Sequence, residues 1–255
     1  MILHFISYFI FFKKKTFSIT GARRSGNHAF VRWLSNALEE DDVSFEQLDF
    51  GFSVSASGKT VFFNEMNVRG QANYIFKIIR FLPFIIRADN VIVTTEDHIP
   101  HWFDAYSIPS STKIKVSRSL LNTVCSRLKK AQVRALDGAE RGDMMIDHSF
   151  MKVVRWINLP HSDWLLWHYD SWVLSKEYRI DFLSSLGLTF NLEPGISIEG
   201  GGSSFTGTDT TPTHQEVKER YLQVEITPAV RELLLKDYYK KELDDLELEF
   251  LVNTK

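Results

Sequence analysis

With 255 residues and a formal net charge of −2, the chain is long enough for one α/β domain with a sizeable core, and no general basic field draws it to nucleic acid. Hydrophobic content of 44% and charged content of 24% are those of an ordinary soluble globule. The single cysteine, Cys125, excludes an intrachain disulfide and favours a reducing compartment, and no Cys/His cluster has zinc spacing.

Residues 2–12 are almost wholly apolar and are followed by Lys13, Lys14 and Lys15. That run is shorter than the ~20 residues needed to span a bilayer, and its charges follow the apolar block, whereas in a signal peptide they precede it. Residues 1–15 are read as an N-terminal apolar and basic extension, dispensable to the domain. Residues 16–255 are read as a single domain. The expected location is cytoplasmic; a peripheral element at the inner membrane surface and an extra packed strand or helix are the other readings of residues 2–15.

The most informative stretch follows at once. Phe17, Ser18, Ile19 and Thr20 form a β-branched and aromatic strand that enters a turn bracketed by Gly21 and Gly26. A helix opens directly behind it, over 27–38. Glycines at both ends let main-chain N–H groups curl inward, and the helix adds the positive end of its dipole, so the loop suits an anion, most often phosphate. Its spacing nearly fits GxxxxGK[ST], but Asn27 stands where an NTPase places Lys, and His28 stands where Ser or Thr would hold magnesium.

Further along, 43–50 and 60–64 read as strands and 72–80 as a helix. The apolar runs 90–95 and 113–117 have the character of buried parallel strands. A helix with apolar residues at Leu121, Val124 and Leu128 is predicted over 120–136. A last strand over 164–169 and a helix over 175–186 closed by Gly187 follow. After a loop at Gly200, Gly201 and Gly202, helical segments are expected over 214–223, 228–237 and 239–248. Strands alternating with helices predict an α/β fold, a central parallel sheet covered on both faces, with a helical C-terminal segment. Ligands in such folds sit at the carboxyl ends of the strands.

A second constellation begins at Arg118, which ends the strand 113–117, with Ser126 two helical turns on and Arg127 beside it. An Arg fork and a Ser hydroxyl so placed can reach one cluster of phosphate oxygens. Taken together, the segment from Gly21 to Asn27 resembles the 5′-phosphosulfate loop of the sulfotransferase family, and the segment from Arg118 to Leu128 resembles its 3′-phosphate motif. Tyr169 with the helix ending at Leu186, Gly187 and Leu188 is similar to a Tyr-rich strand and Leu-Gly-Leu-ended helix found late in the family, and the run from Gly200 to Phe205 resembles a glycine-rich loop near the C-terminus of some bacterial, carbohydrate-type members. Two departures stand out. Asn27 and His28 replace the family's common Thr-Thr, and Ser119-Leu120 replaces the Asp/Asn-Pro usual after the motif Arg.

The resemblance implies a P-loop-type three-layer sandwich. It also implies transfer of a sulfuryl group from 3′-phosphoadenosine 5′-phosphosulfate to a hydroxyl or amine without a metal, leaving adenosine 3′,5′-bisphosphate. The acceptor it implies is a saccharide or glycolipid. Arg24 would meet the bridging oxygen, with Arg23 as its neighbour, while Gly21, Ser25, Gly26, Asn27 and His28 would hold the 5′ group. Arg118, Ser126 and Arg127, with Gly201, Gly202 and Ser203, would hold the 3′-phosphate. Glu96, Asp97 and His98, which follow the strand 90–95, are candidate bases, with Glu96, His98 and Glu65 favoured; a carboxylate base would need burial to raise its pKa. Two other readings are weighed. One is a P-loop nucleotide kinase, which should use magnesium and a Lys; the other is a nucleotide- or glycan-binding module without catalysis. The aromatic series Trp156, Trp164, Trp167, Tyr169 and Trp172 is read chiefly as packing, with an acceptor platform as the alternative.

Overall fold

The structure is a computed structural model and describes residues 13–23, 25–49, 51–64, 78–97, 111–136, 146–189 and 220–253. Its centre is the strand foreseen from the β-branched run, β1 (Lys15–Gly21), which leads through the glycine-bracketed loop into α1 (Asn27–Glu39). Next come β2 (Phe45–Asp49), β3 (Phe52–Ser55) and β4 (Thr60–Phe63), then the short α2 (Leu82–Arg87) and β5 (Asn90–Glu96). β6 (Thr112–Ser117) runs into α3 (Leu120–Leu136), and α4 (His148–Asn158) precedes β7 (Leu165–His168). The chain continues through α5 (Tyr169–Leu174) and α6 (Lys176–Ser185). A 3₁₀ turn, Arg220–Gln223, and α7 (Pro228–Leu234), α8 (Asp237–Lys240) and α9 (Asp245–Asn253) follow.

All seven strands join one sheet in the order β2-β3-β4-β5-β1-β6-β7. The β2-β3 and β3-β4 pairs are antiparallel, and every pairing from β4 to β7 is parallel. The parallel strands therefore end along one edge. β1 feeds a chain that returns on its β5 side, whereas β6 feeds one that moves on to β7. The connections diverge between β1 and β6, the place where open α/β sheets accept ligands.

Strand alternation assigns the layers. Phe17 and Ile19 of β1, with Ile92, Ile114, Val116 and Trp167, face α1, α5 and α6, where Phe30, Trp33, Trp172 and Phe182 complete one apolar cluster. On the other face Val91 and Val93 pack with Phe63, Phe81 and Ile85 around α2, and α4 lies against β6 and β1. The fold is thus α/β, three layers around a mostly parallel sheet. Trp167 and Trp172 are core residues, 0% and 2% exposed. Among the described residues, no helix is long and apolar enough to cross a membrane.

A buried lysine fixes the sheet to α4. Lys115, on the α4 face of β6, is fully buried and donates its ammonium to the carbonyls of Trp156 (3.1 Å) and Leu159, the C-terminal end of α4. It also lies 5.0 Å from the Trp156 ring centre. The ammonium suits the negative end of the helix dipole, while burial pushes its pKa down to about 8. Asn158, the last residue of α4, donates its amide to the Arg118 carbonyl at 3.2 Å. This pair of ties holds the end of β6 where Arg118 begins.

Several expectations shift. Strand 43–50 is β2, ending at Asp49, and it pairs with β3, which pattern reading omitted. Of the helix expected over 72–80, residues 78–80 are helical and the rest lie outside the described residues, while α2 follows unforeseen. The helix α4 was also omitted, although Asp147 caps it by accepting from the Phe150 N–H at 2.8 Å. Tyr169 opens α5 and so does not close the last strand. Of 214–223, only the 3₁₀ turn at 220–223 is described, and the two later segments resolve into α7, α8 and α9 with breaks at Leu235 and Lys241.

Trp167 touches Phe30, Trp33 and Trp172, with ring centres 4.7, 6.4 and 5.2 Å away. Replacing Trp167 by Ala is expected to cost ~3–5 kcal/mol in unfolding free energy, measured by chemical denaturation. A loss under about 1 kcal/mol would contradict the layer assignment.

Candidate anion-binding site

The loop between β1 and α1 is shaped by two close contacts. A side-chain carbon on Gly21 would meet Asn27 Oδ1 at 2.0 Å, and one on Gly26 would meet Tyr169 Cδ2 at 2.3 Å. Gly26 also adopts φ 107°, in the left-handed region that favours glycine. It is the N-cap of α1 and brings no side chain to the helix's first N–H groups, and the first turn holds no acidic residue. An uncapped, acid-free helix start facing a strand-end crevice is suited to an anion.

Around the loop lies a network of paired charge, with Glu96 and Arg127 buried and Arg23 and Asp97 half-buried. Asn27 donates its amide to Glu96 Oε1 at 2.7 Å and to the Ala22 carbonyl at 3.3 Å, and its own Oδ1 accepts from Ser25 Oγ at 3.3 Å. Glu96 Oε2 lies 3.4 Å from Arg23 Nε. Asp97 acts as a clasp. Its Oδ1 accepts the Arg23 main-chain N–H at 2.8 Å, its Oδ2 accepts Arg127 Nη1 at 2.8 Å, and its own N–H donates to the Gly21 carbonyl at 3.1 Å. Asp97 holds a left-handed backbone, φ 57°, to do this. Arg127 is further seated 4.1 Å over the Phe150 ring.

A second cluster meets the first at Gly26. The Tyr169 ring that covers Gly26 is approached by two guanidiniums, Arg118 at 4.8 Å and Arg220 at 5.8 Å, each 3% exposed. Arg118 Nε pairs with Asp170 Oδ1 at 3.5 Å, and Asp170 Oδ2 accepts the Ser119 N–H at 3.0 Å. His168 caps α5 by accepting the Ser171 N–H on Nδ1 at 3.3 Å. Burial first, then the Arg118 charge, hold its pKa below the usual imidazole range, against the pull of Asp170. The Cys125 thiol, buried on α3, is pushed up to about 12 and is inert as a nucleophile.

The structure therefore brings Arg23, Ser25, Gly26, Asn27, Glu96 and Arg127 into one network and sets Arg118 beside it through Tyr169. Ser126 is buried next to Arg127 on α3, and Gly21 underlies Asn27. His28, half-buried, makes an edge contact with Phe62 at 6.4 Å. Arg24, Glu65, His98, Gly201, Gly202 and Ser203 lie outside the described residues. Two readings change in kind. The Asn27 amide, expected to replace a hydroxyl at the 5′ group, is spent on Glu96, so Asn27 would serve an anion through its main chain. Glu96 has a partner on each oxygen before any substrate arrives.

Four residues escaped the sequence reading of the site. Asp97 was weighed only as a base, Tyr169 as packing or an acceptor platform, and Asp170 and Arg220 not at all. Position alone could have flagged Asp97, which directly follows β5, and Asp170, two residues past the end of β7; Arg220 has no local signal. No family model matches the chain, and the comparisons with curated proteins and with solved structures found no match either.

Gly26→Ala would drive a methyl into the Tyr169 ring and force a left-handed alanine. We expect it to lower unfolding free energy by at least about 1 kcal/mol and to displace the ring, read by denaturation and by Tyr fluorescence. Unchanged values in both would remove the Gly26–Tyr169 contact.

Proposed function

We propose that the chain is a sulfotransferase of P-loop type, moving a sulfuryl group from 3′-phosphoadenosine 5′-phosphosulfate to an acceptor hydroxyl or amine, with a saccharide or glycolipid as the favoured acceptor. The observation that carries this reading is Tyr169, whose ring touches the 5′-type loop at Gly26 and the 3′-type Arg118 at once. Two segments far apart in sequence thereby meet on one ring, which supports reading them as parts of one site.

In this reading the main-chain N–H groups at the start of α1, with Ser25, hold the 5′-phosphosulfate. Arg24 neutralises the charge that grows on the bridging oxygen as the S–O bond breaks, and Arg23, fixed by Glu96 and Asp97, supports it. Such transfers pass through loose transition states, so positioned charge dominates the rate. Arg118, oriented by Asp170, grips the 3′-phosphate with Ser126, and Arg220 adds a second guanidinium from the C-terminal segment. A base takes the acceptor's proton. Glu96, His98 and Glu65 are the candidates, and Glu96 can serve only by releasing Asn27 or Arg23. That commitment favours a second reading, a nucleotide- or glycan-binding module without turnover. The kinase alternative lacks its Lys in the loop, Asn27 standing there.

Adenosine 3′,5′-bisphosphate should raise the melting temperature, and ATP with magnesium should not do so alone. Stabilisation by ATP with magnesium only would overturn the proposal in favour of a kinase. Arg118→Ala should weaken the bisphosphate by about 1.5–3 kcal/mol, measured calorimetrically. Affinity equal to the wild type would remove Arg118 from the site. Donor turnover across an acceptor panel separates the enzyme from the binding module.

A further inference from the structure

The helix α9 is tied to the residue that follows Arg118 by one side chain. Glu247 is the third residue of α9 and is 3% exposed. Half of its role is local. Its Oε2 accepts the Asp244 N–H at 3.1 Å while its own N–H donates to Asp244 Oδ1 at 2.8 Å, a reciprocal helix-start box. That box requires only one carboxylate oxygen and no burial. The other oxygen, Oε1, leaves the helix and accepts Ser119 Oγ at 2.8 Å, across 128 positions of sequence.

Ser119 follows Arg118 and joins two acids. Its hydroxyl donates to Glu247, and its N–H donates to Asp170, the partner of Arg118. From Glu247 to the Arg118 guanidinium there are thus two hydrogen bonds and one ion pair. The groups facing Glu247 are Asp244 from its own helix start, Asp170 from α5, the Cys125 thiol from α3 and the Ser119 hydroxyl. Two of these are acids, Asp170 buried and Asp244 exposed, and ionising a third carboxyl beside them places like charges together.

We propose that Glu247 is a positioning residue for the Arg118 subsite, and that its charge tunes the subsite's hold on a phosphate. Neutral Glu247 leaves the Arg118–Asp170 ion pair without a further negative charge behind Ser119. Ionised Glu247 adds a second negative charge behind Ser119 and lowers the positive potential that the phosphate meets. Geometry supplies the coupling, and its range follows from burial, which pushes the Glu247 carboxyl up to about 7, Asp244 and Asp170 adding to the rise and the Ser119 and Asp244 hydrogen bonds opposing it. An exposed glutamate titrates near 4.5. The folded protein therefore binds the extra proton between these values, and Glu247 costs stability as pH rises from 4.5 to about 7, with no further change above.

This inference rests on the reading of Arg118 as a phosphate ligand. The test is calorimetric titration of the full chain with adenosine 3′,5′-bisphosphate, wild type against Glu247→Gln, at one pH well below and one well above the midpoint of about 7. Comparing the two proteins cancels the ligand's own ionisation. Equal affinities are expected below the midpoint, and roughly 3–10-fold tighter binding by E247Q above it. A merely structural role would shift affinity by the same factor at both pH values, and that result overturns the proposal while leaving the phosphate site standing. No binding by either protein at either pH overturns both. If E247Q does not fold, Ser119→Ala cuts the same link and keeps the α9 helix start intact. It removes a hydrogen bond that holds the Glu247 carboxyl down, so the midpoint of the pH response should move up relative to wild type, and an unmoved midpoint overturns the proposal.

Discussion

The site depends on one aromatic ring. Tyr169 stands at the carboxyl end of β7, lies on Gly26 of the first loop, and has the guanidiniums of Arg118 and Arg220 near its ring. Cations beside a desolvated ring are each favourable by up to ~2 kcal/mol, but two in one place repel. Asp170 balances one of them, and a phosphate brought to the pair would relieve the repulsion further. The glycine is the matching constraint, because any side chain at position 26 would occupy the space of the ring. Sheet order makes the meeting inevitable once β7 is laid beside β6 and β6 beside β1.

The second constraint is the pairing of buried charge. Arg23 and Arg127 are joined through Asp97, and Asn27 is anchored to Glu96. Ions taken out of water persist only when paired, and a single replacement that leaves one partner behind is strongly destabilising. These carboxylates hold the cationic side chains still at the sheet's edge, which is what fixed, preorganised charge requires for catalysis or binding. Any anion bound here would compete with them for the same donors, so its affinity would be a difference between two sets of similar hydrogen bonds.

The sequence made the sheet's centre plain and its margins obscure, for physical reasons. β1, β5 and β6 are short runs of β-branched and apolar residues between polar breaks, and α3 shows its apolar period over many turns, so their bounds agree closely with the structure. β3 is only four residues long and defined by its antiparallel neighbours, which no local pattern announces. α5 is a tryptophan- and tyrosine-rich turn whose composition favours a strand; the His168 and Ser171 cap, with burial of Trp172, overrides that preference. In the site, the glycines and arginines were legible because loop chemistry is local. The clasp of Asp97 on Arg127, the arrival of Arg220 at Tyr169 and the reach of Glu247 to Ser119 were not, since each joins residues that only the finished fold brings together.

The most direct measurement is a crystal structure of the protein soaked with adenosine 3′,5′-bisphosphate. The account predicts the 5′-phosphate against the N–H groups at the start of α1 and the 3′-phosphate within hydrogen-bond reach of Arg118, with Tyr169 between them. Density for the nucleotide away from this edge of the sheet, or with its 3′-phosphate out of reach of Arg118, would contradict it.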